Sequence, residues 1–192
     1  AQNMNGWEYG TNLNYLKSIS KYWITKYNWK KFENKINSFK NYKTKVEDIN
    51  LHFIFEKSKN PNSKPLLLLH GWPGSITEFL DIIPRLAHPE KFGGKIEDGF
   101  DIIVPSLPGF GFSSQIKKAL GPRKIGKILN KFMVKNLGYK DYFVQGGDWG
   151  ATIAGWIGLD SSKNCKGIHI NCLPLRHPKG PKNNKEKKWE KK

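Results

Sequence analysis

Apolar residues fall at Leu13, Leu16, Ile19 and Trp23, three or four positions apart, and the spacing resumes after Tyr27-Asn28 with Trp29, Phe32, Ile36 and Phe39. That period predicts two short amphipathic helices, with the aromatics as a buried stripe and Trp23 and Trp29 as the packing contacts. From Leu51 the period drops to two: Leu51, Phe53 and Phe55 alternate with His52, Ile54 and Glu56, which reads as a strand. Leu66 to Leu69 is a continuous apolar run, as in a strand buried on both faces. A helix is expected next, with Ser75 and Glu78 as a capping box and Phe79, Leu80, Ile83 and Leu86 as its stripe. Phe100 to Val104 reads as strand, Ile125 to Leu137 as a helix opening at Gly121-Pro122, Tyr142 to Gln145 as strand, Trp149 to Leu159 as helix and Gly167 to Cys172 as a last strand. Successive β-α-β units predict an α/β fold with a mostly parallel sheet, behind a helical N-terminal region.

The 192 residues suffice for one domain with a sizeable core, and 38% hydrophobic residues with 19 Gly exclude wholesale disorder. Charge is lopsided, with 33 Lys plus Arg against 16 Asp plus Glu and a net of +17. Among the basic residues only Arg85, Arg123 and Arg176 are Arg. A surface that reads nucleic acid recruits Arg for bidentate contacts, so no nucleic-acid partner is expected. Cys165 and Cys172 lack a His or Cys at ligand spacing and fit two reduced thiols of a cytoplasmic protein, not a disulfide framework or a metal site. No apolar run reaches membrane-spanning length, and membrane association is not expected of these residues.

In parallel sheets the loops beyond the C-terminal strand ends carry function. Gly146-Gly147-Asp148-Trp149-Gly150 follows one strand and opens a helix, in the small-x-nucleophile-x-small form of a nucleophile elbow. Its central Asp148 is a carboxylate, which attacks a saturated carbon without a base first removing a proton. Taken alone, the pentapeptide fits equally well an Asp that caps a helix. The loop His70-Gly71-Trp72-Pro73-Gly74 shifts that balance. An elbow enzyme takes one oxyanion-holding amide from the residue after the nucleophile and another from the loop after an earlier strand. Trp149 and Trp72 hold those places, while Gly71, Pro73, Gly74, Gly146, Gly147 and Gly150 shape the turns. His70, at the start of its loop, reads as a structural histidine tied to backbone, not as a base.

Three segments, His70 to Ser75, Pro105 to Ser113 and Gln145 to Gly150, resemble the signature loops of the microsomal-type epoxide hydrolases, which include the juvenile hormone epoxide hydrolases. Gly6-Trp7-Glu8-Tyr9-Gly10, Tyr15-Leu16, Tyr22-Trp23, Trp29 and Asn37-Ser38-Phe39 are similar to that family's helical N-terminal region. The resemblance implies an α/β-hydrolase fold divided into a helical region over 1–50, a partial hydrolase core over 51–178, and a basic tail or the start of a truncated lid over 179–192. It implies that Asp148 opens an epoxide to a hydroxyalkyl ester. A His-activated water then hydrolyses the ester through a tetrahedral intermediate held by the Trp72 and Trp149 amides. It also implies a small-molecule epoxide as partner, a role in detoxification, no cofactor and no metal. The expected location is the cytoplasm, or the endoplasmic reticulum membrane if an anchor precedes Ala1. Haloalkane dehalogenases share the Asp-Trp elbow but typically carry Asn where Trp72 stands, which favours the epoxide.

In that family two lid tyrosines and a carboxylate-supported His complete the machinery, after the point where this chain's last strand falls. His169, inside that strand, and His177, in Arg176-His177-Pro178, do not match the catalytic position. The chain is therefore expected to be an N-terminal portion without turnover of its own. A noncatalytic hydrolase-fold binding module and a binder of nucleic acid or anionic surfaces are the competing classes.

Overall fold

The computed structural model describes residues 6–172 and 180–190, and two compact units divide after Ser38. In the first unit, α1 (Leu13–Lys26) begins where the Asn12 side chain accepts from the amides of Asn14 and Tyr15 at 2.9 and 3.1 Å. α2 (Trp29–Asn37) begins where Asn28 accepts from the Lys31 amide at 3.2 Å. Each Asn satisfies first-turn amides that have no helical partner, which is why the periodicity breaks at Tyr27-Asn28. Of the expected stripe only Ile36 is buried: α1 has no buried residue, and Trp23 and Trp29 are 69% and 51% exposed. A helix buries its stripe only against a second layer, and two helices of 14 and 9 residues do not supply one by themselves.

A six-stranded sheet ordered β1-β2-β4-β3-β5-β6 organises the second unit. The helical expectation for 1–50 ends at residue 37, because β1 (Asn41–Val46) pairs antiparallel with β2 (Ile49–Glu56). β1 is an edge strand whose Lys43 and Lys45 alternate with Tyr42, Thr44 and Val46, a polar pattern that protects an open edge and leaves little period-two signal. β2 pairs antiparallel with β4 (Phe100–Pro105). β3 (Lys64–Leu69) lies parallel between β4 and β5 (Tyr142–Gly146), with β6 (Cys165–Ile170) parallel beside β5. The central place of β3 explains its unbroken Leu run. Leu67 and Leu69 join one buried cluster with Ile103, Val144 and residues of α4 (Pro122–Lys131) and α5 (Trp149–Asp160). Burial of each such side chain contributes about 1.5–3 kcal/mol.

Residues 76–87 form a 3-10 turn (Ile76–Phe79) and a separate α3 (Ile83–Ala87), not the single helix expected. Pro84 has no N–H with which to continue the ladder. The capping box is also absent: Ser75 Oγ accepts from the Thr77 amide at 3.3 Å, while the Glu78 carboxylate packs over Gly74. Near the C terminus α6 (Asn184–Glu190) is a helix. Asn183 Oδ1 accepts from the Glu186 amide at 2.9 Å and Glu186 Oε2 accepts from the Lys182 amide at 2.6 Å, which closes its first turn. His177 lies outside the described residues. No helix among the described residues is long and apolar enough to cross a membrane.

Candidate active site

Because β4, β3 and β5 are parallel neighbours, the loops that follow them emerge at one edge of the sheet. β3 leads into His70-Gly71-Trp72-Pro73-Gly74, with a cis bond between Trp72 and Pro73, and β5 leads through Gly147 and Asp148 into α5.

Asp148 joins strand to helix with φ 50° and ψ −120°. That left-handed region disfavours an L side chain by about 1–3 kcal/mol and persists only when the surroundings impose it. Close packing does so here. A Cβ on Gly150 would overlap the Leu69 carbonyl and one on Gly146 the Gly150 carbonyl, so two glycines let the elbow close onto the sheet. Asp148 occupies the N-cap position of α5, but its side chain makes no side-chain capping bond there. Its Oδ1 instead accepts from the Trp72 amide at 2.8 Å. The amides of Trp72 and then Trp149 hold the Asp148 carboxyl below its ordinary 3.8, against the opposing effect of burial. The result is an ionised carboxylate open to solvent and oriented by backbone.

The remaining loop residues shape this arrangement. A Cβ on Gly71 would stand 2.8 Å from Asp148 Cγ, and one on Gly147 would stand 2.6 Å from Asn171 Oδ1. Gly74 makes room for the Glu78 carboxylate. His70 is fully buried and accepts at Nε2 from the Leu107 amide at 3.0 Å, so Nδ1 carries the proton and donates to the Gly71 carbonyl at 3.0 Å. Both ring nitrogens are committed to backbone, and burial lowers the His70 pKa. His169 is exposed on β6 in register with Gln145. Asn171 escaped the sequence reading. It packs against Gly147 and donates its amide to the Gly146 carbonyl at 3.4 Å, and its only signal is position, as the first residue beyond another parallel strand. Trp72 and Trp149, whose amides flank Asp148, leave 69% and 42% of their surface exposed and give the site an apolar border.

The geometry suits a two-stage use of one carboxylate. If Oδ2 attacks an electrophilic carbon, Oδ1 stays on the Trp72 amide. Water adding to Cγ of the resulting ester would then develop charge on Oδ1, already within the 2.7–3.1 Å range, roughly, of an oxyanion donor.

Residues 1–79 match the family model for the epoxide hydrolase N terminus, and residues 64–189 match that for the alpha/beta hydrolase fold. Epoxide hydrolase 1 of Oryctolagus cuniculus is 41% identical over 175 residues, covering 88% of this chain and 38% of that protein. The crystal structure of juvenile hormone epoxide hydrolase from the silkworm Bombyx mori superposes with a TM-score of 0.81 at 36% identity, covering 91% of this chain and 41% of that one. The epoxide hydrolase of Aspergillus niger superposes with a TM-score of 0.78 at 31% identity, covering 94% and 48%. The chain thus spans less than half the length of these proteins.

Proposed function

We propose that this chain, which belongs to the alpha/beta hydrolase fold family, carries the nucleophilic half of an epoxide hydrolase, with Asp148 as nucleophile and the Trp72 and Trp149 amides as oxyanion donors. The observation that carries this reading is the Trp72 amide held 2.8 Å from a carboxylate that sits on a positive-φ elbow. Asp148 attacks an epoxide carbon, the ring C–O bond breaks toward oxygen, and that oxygen takes up a proton, leaving a hydroxyalkyl ester. Water adds to Cγ and gives its proton to a base. Collapse of the tetrahedral intermediate releases the vicinal diol and restores the carboxylate. The substrate class is a small-molecule epoxide, supported by the names of the relatives and by Trp72 at the position where a haloalkane dehalogenase would carry Asn. The segment over 179–192, with α6, is read as the beginning of a cover for this site. A cytoplasmic location is supported by the free thiols of Cys165 and Cys172.

Incubation with styrene oxide, followed by mass spectrometry of the peptide that contains Asp148, tests the reading. One adduct of substrate mass is expected on Asp148 in the wild-type chain and none in Asp148→Asn. An adduct that persists in that variant, or none in either, overturns it. Alkylation by a bromoalkane but not by the epoxide would favour the dehalogenase.

A further inference from the structure

The sequence loop from Pro105 to Ser113 takes no direct part in the mechanism above, yet it is anchored more heavily than a connecting loop requires. His52 of β2 is 4% exposed and Ser106 is 1% exposed. His52 Nε2 lies 3.0 Å from Asn41 Oδ1, and the Asn41 amide nitrogen donates to the Phe39 carbonyl at 2.8 Å, so that Oδ1 is the acceptor and Nε2 the donor. Nδ1 is then the acceptor, and the Ser106 hydroxyl donates to it at 2.9 Å. The backbone of the same histidine binds the loop twice more: its amide donates to Ser113 Oγ at 2.9 Å and its carbonyl accepts from the Ser106 amide at 2.9 Å. Ser113 Oγ closes the loop by donating to the Ser106 carbonyl at 2.7 Å. The Phe112 ring meets His52 at 5.0 Å and the Phe110 ring meets His70 at 5.3 Å.

The residue after Ser106 is Leu107, whose amide donates to His70 Nε2. A continuous path therefore runs from His52 through Ser106 and Leu107 to His70, on to the Gly71 carbonyl, and so to the Trp72 amide on Asp148. We propose that His52 is a positioning residue for the chemistry at Asp148: its Nδ1 fixes the Ser106–Ser113 loop, whose Leu107 amide sets the His70 tautomer and, through Gly71, the place of the Trp72 N–H. The inference rests on Asp148 being the nucleophile, and it adds a residue from a different strand to that site.

Two substitutions at one position separate positioning from bulk stability. His52→Asn keeps a polar atom near Nδ1 and can still accept from Ser106, but it loses Asn41. His52→Gln keeps a donor near Nε2 for Asn41 but loses Ser106. Ser106→Ala removes the same bond from the other side and serves if either histidine variant fails to fold. Amide hydrogen exchange is read by NMR on the 192-residue chain at Leu107 and Trp72, against the Tyr142 amide, which donates to Asn164 at 3.0 Å away from the loop. Ester formation with styrene oxide is read in parallel. His52→Gln and Ser106→Ala should raise exchange at Leu107 and Trp72 relative to Tyr142 by about tenfold, the worth of one net hydrogen bond. Both should slow ester formation on Asp148 by a similar factor, and His52→Asn should restore both readouts to within about twofold of wild type. Equal effects of the two histidine variants, unchanged exchange in Gln and Ala variants, or altered exchange with an unchanged rate of ester formation would each overturn the proposal. If the wild-type chain never forms the ester, the nucleophile reading fails, and the exchange data alone then decide whether His52 places the amides.

Discussion

A Cβ at position 71 would stand 2.5 Å from Asp148 Cβ and 2.8 Å from its Cγ, so Asp148 owes its place to the absence of one methyl group. Gly71→Ala should push the carboxylate off the Trp72 amide. In ester formation the carboxylate gives up its charge, so the lost amide costs alignment of the nucleophile, and alkylation should slow by about tenfold, the worth of one net hydrogen bond. The overpacked methyl should also reduce stability by about 1–3 kcal/mol. Rates of Asp148 ester formation and urea unfolding check the two effects, and a variant with wild-type kinetics would show that the 2.8 Å contact is not used. At this scale the geometry of the loops was legible in the sequence because each loop puts its unusual residues against glycines: Gly71 beside Trp72, Gly147 and Gly150 around Asp148. Asn171 was not legible, since its contact with Gly147 depends on where β6 stops, which apolar alternation does not fix.

Elements differ in how strongly their sequence speaks. The Leu66–Leu69 run announces a central strand because burial on both faces removes every polar position, whereas β1, polar and on the edge, shares its composition with a loop. The stripe over 79–86 satisfied helical spacing, but Pro84 divides it, and periodicity carries no information on that backbone constraint. Two buried histidines, His52 within β2 and His70 in the loop after β3, make stability depend on pH. Burial pushes His52 down to about 4 from its ordinary 6.5, and Lys43 on β1 adds to the effect. Burial also lowers His70, while the Gly71 carbonyl and the Glu78 carboxylate pull the other way. Both groups bind protons more readily in the unfolded chain, so their contribution to stability is intact above pH 6.5 and is lost as pH falls toward 4. Asp148, held below its ordinary 3.8, stays charged over that interval. The urea midpoint and ester formation should therefore decline together between pH 6.5 and 4, before the nucleophile protonates, and the decline should be shallower in His52→Asn. A constant midpoint with a falling rate would assign the acid limb to another group.

For the molecule as a whole, the two stages of the proposed reaction make unequal demands. Forming the ester needs only an oriented carboxylate and an electrophile beside it, whereas hydrolysing it needs a base next to water. Three of the described histidines are committed elsewhere. His70 and His52 spend both ring nitrogens on hydrogen bonds, and His88 Nε2 lies 2.8 Å from Glu56 Oε1. His169 faces solvent on β6, and His177 lies outside the described residues. Relatives that share this half are more than twice as long, this chain covering 38% of one and 41% of another. The 192-residue chain should thus stop at the ester: styrene oxide should yield at most one equivalent of adduct on Asp148, and diol should not accumulate beyond one equivalent. If no donor reaches the departing oxygen, even that step should be slower by about 10²–10³ per missing donor. Intact-mass kinetics alongside chromatography of the diol checks both quantities. Continued diol release at a steady rate would mean that this chain contains its own base, and His169→Ala and His177→Ala would then show which histidine supplies it.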